Sequence, residues 1–497
     1  MPRWLRIGSG RGLAVWVMGW GLALAVLTGC GREAPPAVQD EKYLIGAYYY
    51  QWFPHNFGRG FLREKLYPAQ EPVLGRYSSR DVKAVEKHIS WCSRYGIDFL
   101  ALDWWPRVPR VNSVISEAFL KARNIGDIKF CVFYESYGVG FRAEMGATVF
   151  SDEIAELFVA DVLQMADLFF DHPSYLKVNG RPVVFFYVTR TFYGRYAEAL
   201  ARVRAELREK GYDPYLIGDE IFWKVIATEP NRAGEKGVEV VDPPVMTTRP
   251  QPERIRLFDA ITAYNLYESQ FKHHAGYGAR SAFLSEAAAK YQEYRRVASP
   301  AVALVPNVIP GYNDRGDRPN DANYVIPRQW DRGAGEGSFL ARSFDRLGFR
   351  FVDPGLNMIM ITSFNEWNED TMIEPTVPGP ATTRDLSGSG EFFTQGFAYS
   401  GYGTRYLEVV RDKVCAVAGR VLDQAGRSRA GVEVLAWRED EVIARDKTDA
   451  QGYYTLSRLR MPPGEYLVGP QGGARRTVKV TPDRNAGGLD FILGPAG

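Results

Sequence analysis

NMIMITSFNEWNEDTMIEP, residues 357–375, begins as a short apolar run and turns sharply polar after Ser363. A run of this length, bounded by turn-forming residues, reads as a strand buried on both faces. Glu366, Glu369, Asp370 and Glu374 follow directly. Reactive groups just beyond the carboxyl end of a buried strand are the arrangement of parallel α/β enzymes. The same pattern recurs upstream, with strands at 44–50, 97–103, 128–135, 182–188, 214–219, 258–265, 302–308 and 357–363. Amphipathic stretches at 80–95, 112–124, 152–170, 195–210, 281–297 and 338–347 read as intervening helices, and the segment after the fifth strand is the least defined. Eight strand–helix units with no glycine-rich phosphate turn after the first strand point to a (β/α)8 TIM barrel rather than an open doubly wound sheet.

Polar residues gather at the expected strand ends: Tyr48 to Trp52, Asp103 to Trp105, Tyr134 and Glu135, Tyr187, Asp219 and Glu220, Tyr264 and Asn265, and Asn365 to Glu369. Past Cys415 the pattern changes to short strands separated by turns, at 417–422, 432–437, 441–447, 453–456, 465–468, 476–480 and 488–493, which reads as a small all-β sandwich. At the other end, Arg3, Arg6 and Arg11 precede an apolar run from Leu13 to Leu27. That is the make-up of an export signal, and the run is short beside the about 20 apolar residues of a membrane span. A plain anchoring helix is the alternative. The organisation expected is thus a signal at 1–29, a tether at 30–42, a barrel at 43–413 and a sandwich at 414–497.

The chain of 497 residues has 45% hydrophobic and 24% charged residues, which excludes a disordered or fibrous protein. Lys and Arg total 61 against 59 Asp and Glu, a net charge of +2 with no polybasic block, so nothing points to nucleic acid. Aromatic residues, at 13%, often fall beside carboxylates and turns, which is compatible with sugar binding, although most aromatics in any chain are core. Cys92, Cys131 and Cys415 are odd in number and widely spaced, and read as buried thiols.

Glycoside hydrolysis needs one group to protonate the leaving oxygen and a second carboxylate across the anomeric carbon, about 5–5.5 Å away in retaining enzymes. Residues three apart on a helical turn have Cβ atoms about 5–6 Å apart, so Glu366 and Glu369 meet this need if the chain turns after Phe364. On a continuing strand they face opposite ways. Crowded carboxylates also raise at least one pKa, so one stays an acid while its neighbour is ionised. A solvated acidic loop would leave the same signature.

This segment closely resembles the signature of glycoside hydrolase family 99, the endo-acting α-mannosidases and α-mannanases. GAYYYQWF at the first strand, PVLGRYSSRD at 72–81, FYESYG, TAYNLY and VPNVIPGYNDRGDRP at 305–319 match the same family in order, over roughly residues 43–376. The resemblance implies that Glu366 removes the proton from the substrate's own 2-hydroxyl and that Glu369 acts as acid and then base. It further implies sugar contacts from Tyr50, Glu135, Tyr264 and Tyr312, with Asn365 beside the pair and Trp104 or Trp105 stacking on a sugar face. The family usually carries His between the glutamates and Gly-Thr-Gln after the second. Asn368, Asp370 and Met372 depart from that pattern, and Asp370 is expected to raise the acid's pKa. A neighbouring family of barrel proteins linked to bacterial surface polysaccharide synthesis shares a similar NEWxE signature. Leu27-Thr28-Gly29-Cys30 resembles a bacterial lipobox, implying acylation of Cys30 and a lipid-anchored protein of the cell envelope, with the outer membrane as one candidate location. The C-terminal stretch resembles the carboxypeptidase regulatory-like or prealbumin-like module, which implies a spacer or interaction domain.

Asn313, Asp314, Asp317, Asn320 and Asp321 are rich in oxygen donors but lack the ligand spacing of an EF-hand, so a polar or substrate-facing loop is expected. His273 and His274 are adjacent and expected to point apart, and no HExxH occurs, so neither metal nor cofactor is expected. His55 reads as part of a polar loop and His88 as a helix residue. Besides a retaining hydrolase of α-mannose-containing oligosaccharide or polysaccharide, two readings stand: a non-catalytic glycan-binding lipoprotein, and a polysaccharide-assembly protein of the NEWxE family. The paired carboxylates argue against the first. The export signal and the lack of a phosphate-cradling motif argue against the second.

Overall fold

The computed structural model describes residues 42–228, 244–269, 271–277, 279–320, 322, 324–482 and 485–494. The expected signal, Cys30 and nearly all of the tether lie outside these residues. Among them, no helix is long and apolar enough to cross a membrane.

Eight parallel strands form the barrel: β1 (Leu44–Tyr49), β2 (Phe99–Trp104), β3 (Lys129–Tyr134), β4 (Arg181–Phe186), β5 (Tyr215–Asp219), β6 (Ala260–Thr262), β7 (Ala303–Val305 continuing as Asn307–Val308) and β8 (Met358–Ile361). Each pairs with the next in order, and β1 pairs with β8 in the register Leu44 to Met358 and Ala47 to Ile361. Pro306, which has no N–H to give a ladder, divides β7. Its first part pairs with β6 and its second with β8, which closes the circle. The helices following the strands are α1 (Val82–Tyr95), α2 (Pro109–Glu117), α3 (Asp152–Phe169), α4 (Tyr196–Glu209), α5 (Ala279–Ala298), α6 (Ser338–Ser343) and α7 (Arg405–Val414). Among the described residues after β5 there is only a short turn of helix, at Pro252–Ile255.

Alternation along the strands decides what faces inward. Tyr48 meets Phe133, Phe185 and Tyr264, side chains from β3, β4 and the end of β6, so Tyr48 is inside the barrel. Gly46 lies one layer below, where a Cβ would meet the Phe99 ring at 2.2 Å, so a bulky ring on β2 needs glycine on β1. Tyr49 points the other way, to His88 on α1 and to Phe119. Packed layers of this kind make the interior a core rather than a pore, and push any site to its mouth.

The C-terminal strands are β9 (Cys415–Asp423), β10 (Glu433–Arg438), β11 (Glu441–Lys447), β12 (Tyr453–Ser457), β13 (Gly464–Pro470), β14 (Arg476–Val480) and β15 (Phe491–Leu493). They form a three-stranded sheet in the order β12-β9-β15 and a four-stranded sheet in the order β11-β10-β13-β14. Val417, Val434, Tyr454, Leu456, Met461 and Val468 make their shared core. This unit meets the barrel at the amino ends of its strands. The Tyr43 N–H donates to Ser457, Ser93 at the end of α1 donates to Asp449 at 2.7 Å, and Arg94 lies over the Tyr453 ring.

Candidate active site

The segment after β8 does turn, and its four acids divide into two pairs. Glu374 is fully buried and accepts from Tyr77 at 2.8 Å and from the Trp367 indole at 2.8 Å, with His88 at 3.1 Å. Asp370 is buried against Arg63 at 2.8 Å and lies 3.6 Å from Arg328. These two acids anchor the loop, so the expected electrostatic effect of Asp370 on the acid/base pair is not found. Its charge is balanced on the far side by two guanidinium groups.

Glu366 and Glu369 are left to face the barrel mouth. Glu366 accepts from the Asn368 N–H at 3.0 Å, and burial with the neighbouring Glu369 carboxylate raises its pKa well above the usual range. Burial also raises Glu369, but Arg318 at 3.1 Å and the Tyr267 hydroxyl at 2.8 Å hold it back. Of the two, Glu366 is therefore the carboxyl raised further.

Around the pair, Tyr50 and Tyr264 join hydroxyl to hydroxyl, and Tyr50 stacks on Trp52 with centroids 4.5 Å apart. Glu135, at the end of β3, is buried, and its Oε1 has no hydrogen-bond partner among the described residues. Burial and then Asp103 push its carboxyl up. Tyr312 packs on Tyr267 at 4.7 Å. A groove of about 1000 Å3 leads away, lined by Tyr187, Phe222, Trp223, Glu268, Tyr312 and Arg318. Burial raises Glu268 to about 7. A second cavity, about 750 Å3, lies at the opposite end of the barrel between Arg181, Arg204 and Asp259, which are already paired with one another.

Two expected sugar contacts fall elsewhere. Trp104 has the outward parity of β2 and packs edge-on against Phe169 of α3, so it belongs to the barrel–helix interface. Trp105, partly exposed and 6.5 Å from Trp52, is the tryptophan on the site's side. Asn365 is fully buried, and its amide is spent on the Tyr50 backbone, accepting from N–H and donating to C=O, both at 2.8 Å. It straps β8 to β1 and so positions the glutamates and Tyr50 together. Tyr267, Glu268 and Arg318 join the site without a sequence signal of their own, although Tyr267 ends TAYNLY and Arg318 lies in DRGDRP. Asp103 was noted at its strand end only. It is fully buried on the inward side of β2, and neither of its oxygens has a hydrogen-bond partner among the described residues.

In the oxygen-rich loop, Asn313 is fully buried and donates to the Phe393 carbonyl, while Asp314 accepts from Arg318 at 3.1 Å. These contacts make it a structural polar loop; Asp321 lies outside the described residues. His273 and His274 do not point apart: both turn to Glu286, at 2.8 and 3.0 Å.

A sequence model of the family described as Glycosyltransferase WbsX matches residues 48–379. The chain belongs to the WbsX glycosyltransferase family. The match runs from Tyr48, inside the barrel, through both glutamates. This WbsX-family chain is also 20% identical over 393 residues to the glycoprotein endo-alpha-1,2-mannosidase of Rattus norvegicus, covering 70% of each chain. Among solved structures, a glycoside hydrolase-like protein is 19% identical, covers 77% of this chain and 96% of its own, and has a TM-score of 0.50. The GH99 endo-alpha-mannosidase from Bacteroides thetaiotaomicron is 19% identical over 75% of this chain and 99% of its own, with a TM-score of 0.45. The expected (β/α)8 barrel is the fold of this WbsX-family chain. The family is described by a transferase activity and the curated relatives by a hydrolytic one.

Proposed function

We propose that this protein is a retaining glycoside hydrolase that cleaves within α-mannose-containing glycans, with Glu366 and Glu369 as its catalytic residues. The observation that carries the reading is the division of the four acids: two are held by donors as anchors, and two are left together at the barrel mouth. In an α-mannoside the axial O2 lies antiperiplanar to the leaving oxygen. Glu366 takes the O2 proton as O2 attacks C1, while Glu369 gives its proton to the departing oxygen and the C1–O bond breaks. The 1,2-anhydro sugar formed is opened by water at C1. Glu369 takes the water's proton and Glu366 returns its own to O2, giving overall retention.

This cycle starts with the proton on Glu369, so substrate binding must raise Glu369. Arg318 is the adjustable element, since its side chain is half exposed and reaches Glu369 from a loop. A substrate that draws Arg318 away raises Glu369 and moves the proton to it. The remaining contacts proposed are Tyr50, Tyr264, Glu135, Tyr312 and Trp105.

The family description favours a second reading, transfer from an activated sugar to a polysaccharide. Tyr50 to Pro54, directly after β1, form no glycine-rich turn to cradle phosphates, which weighs against it where the donor is a nucleotide diphosphate. The test is to incubate the soluble protein, lacking Cys30, with α-1,2-mannosyl oligosaccharides, and separately with nucleotide-diphosphate sugars and an acceptor. Fragments in the first and nothing in the second support hydrolysis. Product only in the second establishes the transferase. We also propose export and anchoring through Cys30. Support comes from the basic and apolar stretch between Arg3 and Leu27 and from the lipobox-like Leu27-Thr28-Gly29-Cys30.

A further inference from the structure

His273 and His274 lie in a short turn, Lys272–His274, and Glu286 lies on α5. One donor atom from each of the three side chains lies within 4.8 Å of the others. His273 and Glu286 are about half exposed, whereas His274 is fully buried. Two imidazoles and a carboxylate are a ligand set used by zinc, with Zn–N of about 2.0–2.1 Å and Zn–O of about 2.0–2.2 Å. Tetrahedral ligands at those lengths stand roughly 3.3 Å apart. The present separations of 2.8 and 3.0 Å need to open by only a few tenths of an ångström.

The hydrogen bonds behind His274 fix which of its nitrogens faces Glu286 as a lone pair. The Tyr324 hydroxyl gives its single proton to the Tyr267 carbonyl and accepts from the Ser269 N–H at 2.7 Å. Ser269 Oγ lies 2.9 Å from that same hydroxyl and 2.7 Å from His274 Nδ1. With the Tyr324 proton committed, the Ser269 hydroxyl donates to Tyr324, and His274 Nδ1 is the donor to Ser269. In a neutral imidazole, Nε2 is then unprotonated, yet it faces a carboxylate oxygen at 3.0 Å. Two acceptors at that distance need a cation between them. A histidine held by its far nitrogen, with its near lone pair directed at other donors, is the usual state of a metal ligand.

We propose that His273 Nε2, His274 Nε2 and Glu286 form a binding site for a divalent transition metal of the zinc class, with a fourth position open to water. The ion braces the turn to α5. Because Ser269, Phe271 and Lys272 line the groove that leads from the glutamates, it also stiffens the groove wall. This proposal is independent of the reaction catalysed.

The test uses the protein without a polyhistidine tag, loaded with zinc sulphate, desalted, and assayed for metal by mass spectrometry beside Glu286→Gln and His273→Ala. Both substitutions are at half-exposed positions, and circular dichroism checks their folding. One zinc per chain is expected in the wild type and background in both variants, with a melting temperature that rises with zinc but not with magnesium. Cobalt(II) added to the wild type should give the strong visible absorption of a tetrahedral nitrogen–oxygen site. Zinc at background in the wild type, equal zinc in all three proteins, or the faint spectrum of octahedral cobalt would overturn the proposal. His274 would then be an imidazolium paired with Glu286.

Discussion

Arg318 lies beside the proposed catalytic pair and lowers both Glu366 and Glu369. An activity that needs one carboxylate ionised and the other protonated has a bell-shaped pH profile whose limbs belong to the pair jointly. Arg318→Gln removes a positive charge, so both pKa values rise and both limbs of kcat/KM should move to higher pH. A profile that stays in place would show that Arg318 does not act on the pair. Asp103 gives a stability prediction. Its folded pKa is raised well above the ordinary 3.8 by burial, so the folded state holds a proton that the unfolded chain loses as pH rises past that value. Stability is therefore lost with increasing pH. Asp103→Asn should raise the melting temperature at pH 7, by an amount that shrinks towards zero as pH falls to about 4. A gain independent of pH would contradict this cause.

The loop of residues 363–375 is held by groups that the sequence did not distinguish from the reacting ones. Arg63→Met leaves Asp370 with only the longer contact to Arg328 in a buried site, and should destabilise the protein by about 3–5 kcal/mol in denaturant unfolding. Asn365→Ala strands a buried N–H and C=O of Tyr50, a loss on the order of 3 kcal/mol, and should lower kcat as β8 and β1 lose their strap. The strands were readable because a buried parallel strand is a short apolar run whatever its neighbours. The expected 44–50 and 128–135, for example, enclose β1 and β3. Trp104 shows where more was available: on β2 it alternates with Asp103, so one inward carboxylate turns the neighbouring indole outward. Tyr267 and Arg318 were not available in this way. They come from loops after β6 and β7, and only closure of the barrel brings them to Glu369. Glu366 and Glu374 look alike in sequence, and they differ because one meets a cluster of donors and the other meets mainly carboxylates.

Across the whole molecule, the two ends of the barrel have separate tasks. The sandwich strands β9–β15 pack at the amino ends of the barrel strands through Tyr43, Ser93 and Arg94, and the glutamates stand at the carboxyl ends. Substitutions at the lower interface, such as Ser93→Ala, should change the melting temperature and leave kcat and KM untouched. A change in KM would show that the sandwich reaches the site. The central claim, that Glu366 and Glu369 together break a glycosidic bond through O2, is tested most directly by proton NMR of the products freshly released from an α-mannan. Wild type, Glu366→Gln and Glu369→Gln are compared. The account predicts products with the α-configuration of the substrate from the wild type, and kcat reduced about 100-fold or more in each variant. Products of inverted configuration, or a variant that cleaves at the wild-type rate, would contradict it.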